Sequence, residues 1–600
     1  MLKNKKLFYV VSILAGALIG VLLLELGYFI NDFGALFGFI FGRPLVFLFN
    51  WFLMIVLALI VVTIIRKPFV SMGILWALIF IVNYIHINKY NSRGTPLLPE
   101  DFQLASQAAS LTKFIDVWSL AGLAFAVLVA LAAGILLERY AQRKIGRLAK
   151  HSILTWLTAL VLFCGVFNFA TDFIRNHDGS KYQKINWLNT TFTAWNQKRN
   201  YDENGFIVGF LYNWNKFNLA APENYDEETI MQIKNEYSKN TASKNLSDAD
   251  YNIVIVLNES FYDPSLIEKY YPHTGGDVTP NLHKVMAQYP SGWMYTLDYG
   301  GGTANIEFET LTGLTNFWVN TVPYTDLVPK AGNIPSVATW TKQNGYKTTA
   351  IHPYNGGMYK RDISLMNEGF ETFITELEMK HKEHEGDSEY INDKSAYNEV
   401  VDTLRADDNK QMIMLITMQN HLPYNSSTYS DHHFSLINPI ANDAERTENI
   451  RNYYESLYNS DKYLGDFIAE LDTMDEKTVV LFFGDHSAGL FSELNDSSNN
   501  SEEFILSRTT PYFIYSNFPL NGARKNLPNT TPNCLVNTLY NTLGVEKPAL
   551  NYLLDDVCTT EPILARTYFD EKEFIETDIL NAYELVTYDI LGGKKYWMQD

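Results

Sequence analysis

The chain is expected to fold as an N-terminal five-span α-helical membrane domain followed by an α/β domain. Three observations carry that expectation. Apolar stretches of about 20 residues, the length that crosses a hydrocarbon core, recur through the first 172 residues. From about residue 250, short apolar β-rich runs alternate with helical stretches, the pattern of an α/β domain. Two of those runs, 254–260 and 479–487, end in metal-ligand residue types, Glu259 and Asp485-His486.

The spans are read at residues 7–30, 44–65, 69–88, 117–137 and 152–172. Lys3, Lys5 and Lys6 precede the first, but it is too long for a signal-peptide core and four more follow. Basic residues set the orientation. With five spans, Lys3, Lys5, Lys6, Arg66, Lys67, Arg139, Arg143, Lys144, Arg147 and Lys150 all fall on one side. The N-terminus is then cytoplasmic, and the chain after residue 173 lies outside the cell membrane. Residues 89–116 form an outer loop stiffened by Pro96 and Pro99.

Residues 173–248 read as a connector. Its aromatics, Trp187, Trp195, Phe206, Phe210, Tyr212 and Trp214, suit helices lying along the bilayer or packing on the globular domain. In the region 249–600, strands are expected at 252–257, 347–351, 411–417, 478–483 and 511–515, with a helix at 452–471. In an open α/β sheet, sites form at the carboxyl ends of strands, where Glu259 and Asp485-His486 fall. The polar run 493–502 reads as a surface loop.

The formal net charge is -20, from 67 acidic and 47 basic residues, which excludes nucleic acid as a partner. It suits a divalent cation and a soluble life at a membrane surface. Of the three cysteines only Cys534 and Cys558 are free of an apolar run and able to pair. The chain is no disulfide scaffold, and it lacks the CxxC spacing of structural zinc.

The densest signal is Gly300-Gly301-Gly302-Thr303. Glycines allow a tight turn that presents the Thr303 hydroxyl, a weak nucleophile until a metal or base activates it. Glu259, Thr303, Asp485 and His486 together make a mixed oxygen and nitrogen donor set. It suits Mn²⁺ or Mg²⁺, with Zn²⁺ as a further option.

These segments resemble the lipoteichoic acid synthase and phosphoglycerol transferase family, within the alkaline phosphatase and sulfatase superfamily. The match runs through Leu257-Asn258-Glu259-Ser260, Gly301-Gly302-Thr303-Ala304-Asn305 with Glu307-Phe308-Glu309, Met418-Gln419-Asn420-His421-Leu422-Pro423-Tyr424 and Gly484-Asp485-His486. The resemblance extends to the five-span half. It implies a sulfatase-like catalytic domain with a C-terminal subdomain and a metal-dependent extracellular phosphotransferase of cell-wall biogenesis, as in lipoteichoic acid synthesis. Thr303 is the nucleophile it implies, and Glu259, Thr303, Asp485 and His486 ligate one Mn²⁺, with Mg²⁺ as the second choice. The implied donor is phosphatidylglycerol. The acceptor is a teichoic-acid-like polymer, a glycolipid or a wall polysaccharide. His421, Arg361 and Tyr359 are the implied substrate-binding residues.

The chain departs from the family in having Tyr359-Lys360-Arg361 where Trp-x-Arg is usual. Tyr354 or Asn355 stands where an aspartate is expected, and His352 either lines the site or serves the strand end. Two alternatives stand beside this reading: a phosphoethanolamine transferase, and a non-catalytic member that binds envelope polymer. A formylglycine sulfatase does not fit, because Thr303 occupies the place of the Cys or Ser it needs.

Overall fold

A computed structural model describes the chain apart from residues 1–4, 31, 94, 95, 100, 103–116, 147–160, 162–164, 167, 169–196, 215–218, 220, 239–243, 320, 425–427, 430, 431, 496–501, 521, 570–573 and 600. It divides into two compact units, Met1–Phe217 and Asn218–Asp600.

The first unit contains helices α1 (Lys5–Tyr28), α2 (Phe33–Gly42), α3 (Pro44–Ile65), α4 (Pro68–Arg93), α5 (Val117–Lys144) and α6 (Gln197–Trp214). Among the described residues, four of these are long and apolar enough to cross a membrane: α1, α3, α4 and α5. Most of the expected fifth span, 152–172, lies outside the described residues, as do Trp187, Trp195 and most of the loop 493–502. Glu138 on α5 accepts a hydrogen bond from Phe69 N (3.0 Å), which satisfies a free amide at the start of α4.

Helix α6 falls in this unit, whereas the sequence pattern set it in a connector. It breaks at Gly205 (φ 73°, ψ 171°), which frees backbone groups. Buried side chains of the spans satisfy them. Glu25 accepts from Phe206 N at 3.0 Å, Asn50 accepts from Val208 N at 3.1 Å, and Asn50 Nδ2 donates to Asn204 O at 2.7 Å. Buried backbone groups freed in this way need protein partners in place of water. The aromatics Phe206 and Tyr212 are therefore buried within the membrane unit.

The second unit is built on a seven-stranded sheet. Its strands are β1 (Asn252–Asn258), β2 (Ser291–Tyr295), β3 (Lys347–His352), β4 (Thr372–Thr375), β5 (Gln411–Ile416), β6 (Thr478–Gly484) and β7 (Thr509–Ser516), in the order β2-β7-β6-β1-β5-β3-β4. The pairs β6–β1, β1–β5, β5–β3 and β3–β4 are parallel, while β7 runs antiparallel to β6 and to β2. Central β1 is buried at every position, as a parallel strand covered on both faces must be, and pairs Val254 with Ile413 and Val480.

The five expected strands are all present; β2 and β4 are additions. Helix α7 (Thr303–Thr312) leads from the triple glycine, and α8 (Arg361–Asn367) follows β3. Helix α9 (Asp393–Arg405) starts at the Asn392 cap, which accepts from Ser395 N, and buries Ala396, Tyr397, Val400, Val401 and Leu404 at helical spacing. It packs on α10 (Ala444–Leu471) through stacked Tyr397 and Phe467 rings, 4.6 Å apart. Helix α10 starts eight residues before the expected 452, because Asp443 caps Arg446 N. A disulfide joins Cys534 to Cys558.

Candidate active site

Strand β1 ends at Asn258 and β6 at Gly484, so Glu259 and Asp485-His486 emerge side by side at the carboxyl edge of the sheet. Gly484 is required there: a Cβ would sit 1.8 Å from the Phe261 carbonyl oxygen. Thr303 opens α7 opposite them. Its Gly302 cap has φ +98°, and a side chain there would collide with Asp298 at 2.4 Å. The turn thus aims both the Thr303 hydroxyl and the amide-rich start of a ten-residue helix at the strand ends, a favourable place for an anion.

The four side chains converge. Thr303 Oγ1 donates to Glu259 Oε2 at 3.2 Å and lies 3.5 Å from His486 Nε2. His486 Nε2 is 3.2 Å from Asp485 Oδ2 and 3.7 Å from Glu259 Oε1. All four residues are at most 6% exposed. His486 Nδ1–H donates to Ser487 O at 3.0 Å, which leaves Nε2 as the ligating nitrogen. Asp485 Oδ1 accepts from Ser260 N and His486 N, both at 2.8 Å, whereas buried Oδ2 makes no hydrogen bond among the described residues.

Two carboxylates buried together repel one another. Burial first, and then the Glu259 charge, push the Asp485 carboxyl up to about 7. Burial also opposes ionisation of Glu259, but His486 and His421 outweigh it and hold Glu259 below its ordinary value. His486 is raised: burial disfavours its charge, and Asp485 and Glu259 more than restore it. Oxygen from Glu259, oxygen from Asp485 and nitrogen from His486 lie within 4.8 Å of one another. A divalent cation fits this set. It would offset the repulsion and engage Asp485 Oδ2, which pairs with His486 Nε2 but makes no hydrogen bond among the described residues.

His421 follows β5. Its Nδ1–H donates to Leu422 O at 2.7 Å, beside the Tyr390 hydroxyl, and its charge acts on Glu259. Arg361 sits differently from a solvent-facing phosphate grip. It is 2% exposed, and its Nε donates to Glu307 Oε1 (3.1 Å) and Oε2 (3.0 Å). Its Nη1 is 3.3 Å from His352 Nε2, and its guanidinium lies 5.1 Å from the Tyr359 ring centre. Because arginine only donates, His352 Nε2 accepts and Nδ1–H donates to Ile416 O at 3.0 Å. Burial, and then the Arg361 charge, hold His352 well below its ordinary value, so it is neutral. Glu307 stands four residues after Thr303, on the same face of α7, which sets Arg361 on the nucleophile's side of that helix.

Sequence reasoning passed over a buried polar frame behind the site. Asp393 accepts from Asn258 Nδ2 at 3.0 Å and from Ser460, and its backbone N–H donates to Gln419 at 2.8 Å. Glu259 N donates to Thr417 Oγ1 at 3.1 Å. Asn258, Gln419 and Asn420 stand in the quoted motifs, so the signal was there without a role attached.

These features define a sulfatase-family domain: residues 251–545 match the sulfatase family, and the first unit holds four described helices long and apolar enough to cross a membrane. The superfamily read from the motifs is borne out by the sulfatase match, and the chain is similar to a phosphoglycerol transferase. The phosphoglycerol transferase GacH of Streptococcus pyogenes, solved with sn-glycerol-1-phosphate, is 25% identical, aligns over 64% of this chain and 97% of its own, and superposes with a TM-score of 0.53. A Rhizobium meliloti (strain 1021) protein with the provisional name cyclic beta-1,2-glucan modification protein is 24% identical, over 86% of this chain and 81% of its own. The integral membrane lipooligosaccharide phosphoethanolamine transferase A of Neisseria meningitidis is 12% identical, over 89% and 95% of the two chains, with a TM-score of 0.48.

Proposed function

We propose that the protein transfers glycerol phosphate from phosphatidylglycerol to a hydroxyl of an envelope polymer or glycolipid, through a phospho-threonine at Thr303. The observation that carries this reading is the Thr303 hydroxyl, set by its glycine turn against Glu259, Asp485 and His486. The 25% identity to a phosphoglycerol transferase over 97% of that chain supports the choice of group. The name of the Rhizobium relative supports a saccharide among the acceptors.

Glu259, Asp485 and His486, with Thr303, would hold one Mn²⁺, with Mg²⁺ as the second choice. When bound, such an ion lowers the pKa of the hydroxyl and screens the phosphate charge. In the first half-reaction, Thr303 Oγ1 bonds to phosphorus as the diacylglycerol oxygen leaves and takes up a proton. The start of α7 faces the phosphate oxygens with backbone N–H groups. On this reading His421 exchanges the proton, and the roles of Arg361 and Tyr359 toward the headgroup are the ones the motif resemblance implies, Arg361 being held by Glu307 and His352 in this structure. In the second half-reaction an acceptor hydroxyl attacks phosphorus, gives up its proton and frees Thr303. An N-terminus in the cytoplasm puts this chemistry outside the cell, where the Cys534–Cys558 disulfide would persist.

The test is the intact mass of the full-length protein in detergent after incubation with Mn²⁺ and phosphatidylglycerol. A glycerol-phosphate adduct that maps to Thr303 is expected. An adduct only with phosphatidylethanolamine would move the assignment to a phosphoethanolamine transferase.

The ligand set also makes metal binding pH-dependent. Asp485 must be ionised and His486 neutral to ligate, and both hold protons more tightly than usual. Protons therefore compete as pH falls through about 7, and Mn²⁺ affinity should weaken by about tenfold or more per pH unit below that point. Calorimetric titration at several pH values measures this, and an affinity that stays flat would contradict the ligand assignment. In the metal-free protein the sign reverses. The raised Asp485 carboxyl contributes stability that is fully present below its unfolded pKa and is lost as pH rises toward about 7.

A further inference from the structure

The residue after Glu259 is held against its own conformational preference. Ser260 has φ +48°, a left-handed conformation that crowds any Cβ against the following carbonyl. It is 2% exposed and fixed on every side. Its N–H donates to Asp485 Oδ1 at 2.8 Å, and its carbonyl accepts from the Tyr453 hydroxyl at 2.7 Å. Its Oγ donates to Glu259 Oε1 at 2.8 Å and lies 3.4 Å from His486 Nδ1. One residue thus touches all three donors of the candidate metal site, while glycine, which would relax the backbone, is not used. Strain of this kind persists only where the surroundings over-determine it, and it gathers at functional sites.

We propose that Ser260 is a positioning residue for the metal centre. Its left-handed turn brings its N–H to Asp485 Oδ1, so that Oδ2 is the oxygen left to face the cation. Its hydroxyl occupies Glu259 Oε1, so that Oε2 faces Thr303, 3.2 Å away. The strain is the cost of keeping a hydroxyl at a turn that glycine would make freely. This inference rests on the reading that Glu259, Asp485 and His486 bind a divalent ion.

Two variants separate the hydroxyl from the backbone. Ser260→Ala loses the hydroxyl and keeps the strain; Ser260→Gly loses both. Mn²⁺ titration of the full-length protein, with thermal melting in the absence of metal, reads each. Both variants should bind Mn²⁺ about tenfold or more weakly, the usual cost of removing a group that orients a ligand. Ser260→Gly should melt above Ser260→Ala. Turnover should fall in kcat, with KM for phosphatidylglycerol held within about threefold, because the donor pocket is untouched. Native Mn²⁺ affinity in Ser260→Ala would overturn the proposal, as would a Ser260→Gly that binds Mn²⁺ like the native chain. Failure of the native chain itself to bind Mn²⁺ would overturn the metal reading and this inference with it.

Discussion

Replacing Thr303 with alanine should lower transfer by about 10⁴-fold or more, which corresponds to about 5.5 kcal/mol of transition-state stabilisation. The Ser260 hydroxyl does not stand ready to substitute, because it donates to Glu259 Oε1 and is 2% exposed. The loss should appear as a missing adduct and a missing product together, because both half-reactions pass through Thr303. Mn²⁺ binding should survive, since Glu259, Asp485 and His486 supply three donors without it. Calorimetry on Thr303→Ala therefore separates the nucleophile from the metal site. A variant that keeps its function in the cell without turnover would point instead to a binding role for the chain.

The parts of this molecule that were legible in the sequence are those whose physics is local. Strands β1, β5 and β6 are buried on both faces and read as unbroken apolar runs. The glycine turn and the two strand ends announce Thr303, Glu259, Asp485 and His486 by residue type alone. Strand β2 was not legible, because a five-residue edge strand with Gly292 carries little apolar signal. Its glycine is needed where the chain passes the Tyr512 ring, a contact set 220 residues away in the chain. The start of α10 was hidden for a similar reason: its first two turns are polar and Asp443, not an apolar stripe, defines them. The frame behind the site depends on Asp393 meeting Asn258 across 135 residues, which no spacing rule reveals. The same holds for α6, whose broken backbone is satisfied by Glu25 and Asn50 from distant spans.

The surroundings of Arg361 lead to the largest expected effect on stability. Its guanidinium is 3% exposed at the side chain and its Glu307 partner 0%. Glu307 takes two of its N–H groups in a forked pair, and His352 takes a third. A pair buried this deeply contributes little net stability while intact, because desolvation offsets the attraction. Removal of one partner strands the other charge, at a cost of about 3–5 kcal/mol. Glu307→Gln should therefore unfold the catalytic unit at markedly lower urea concentration, with no change to any of the four metal-site residues. Arg361 does not escape by losing its proton, since a guanidinium keeps its charge even when buried. The double variant Glu307→Leu with Arg361→Met, which removes both charges and fills the space with apolar atoms, should recover most of the lost stability. Urea midpoints followed by limited proteolysis distinguish these cases. If the double variant is stable yet has a raised KM for phosphatidylglycerol, Arg361 serves the headgroup as well as the fold. Native KM in that variant would confine Arg361 to holding α8 against α7.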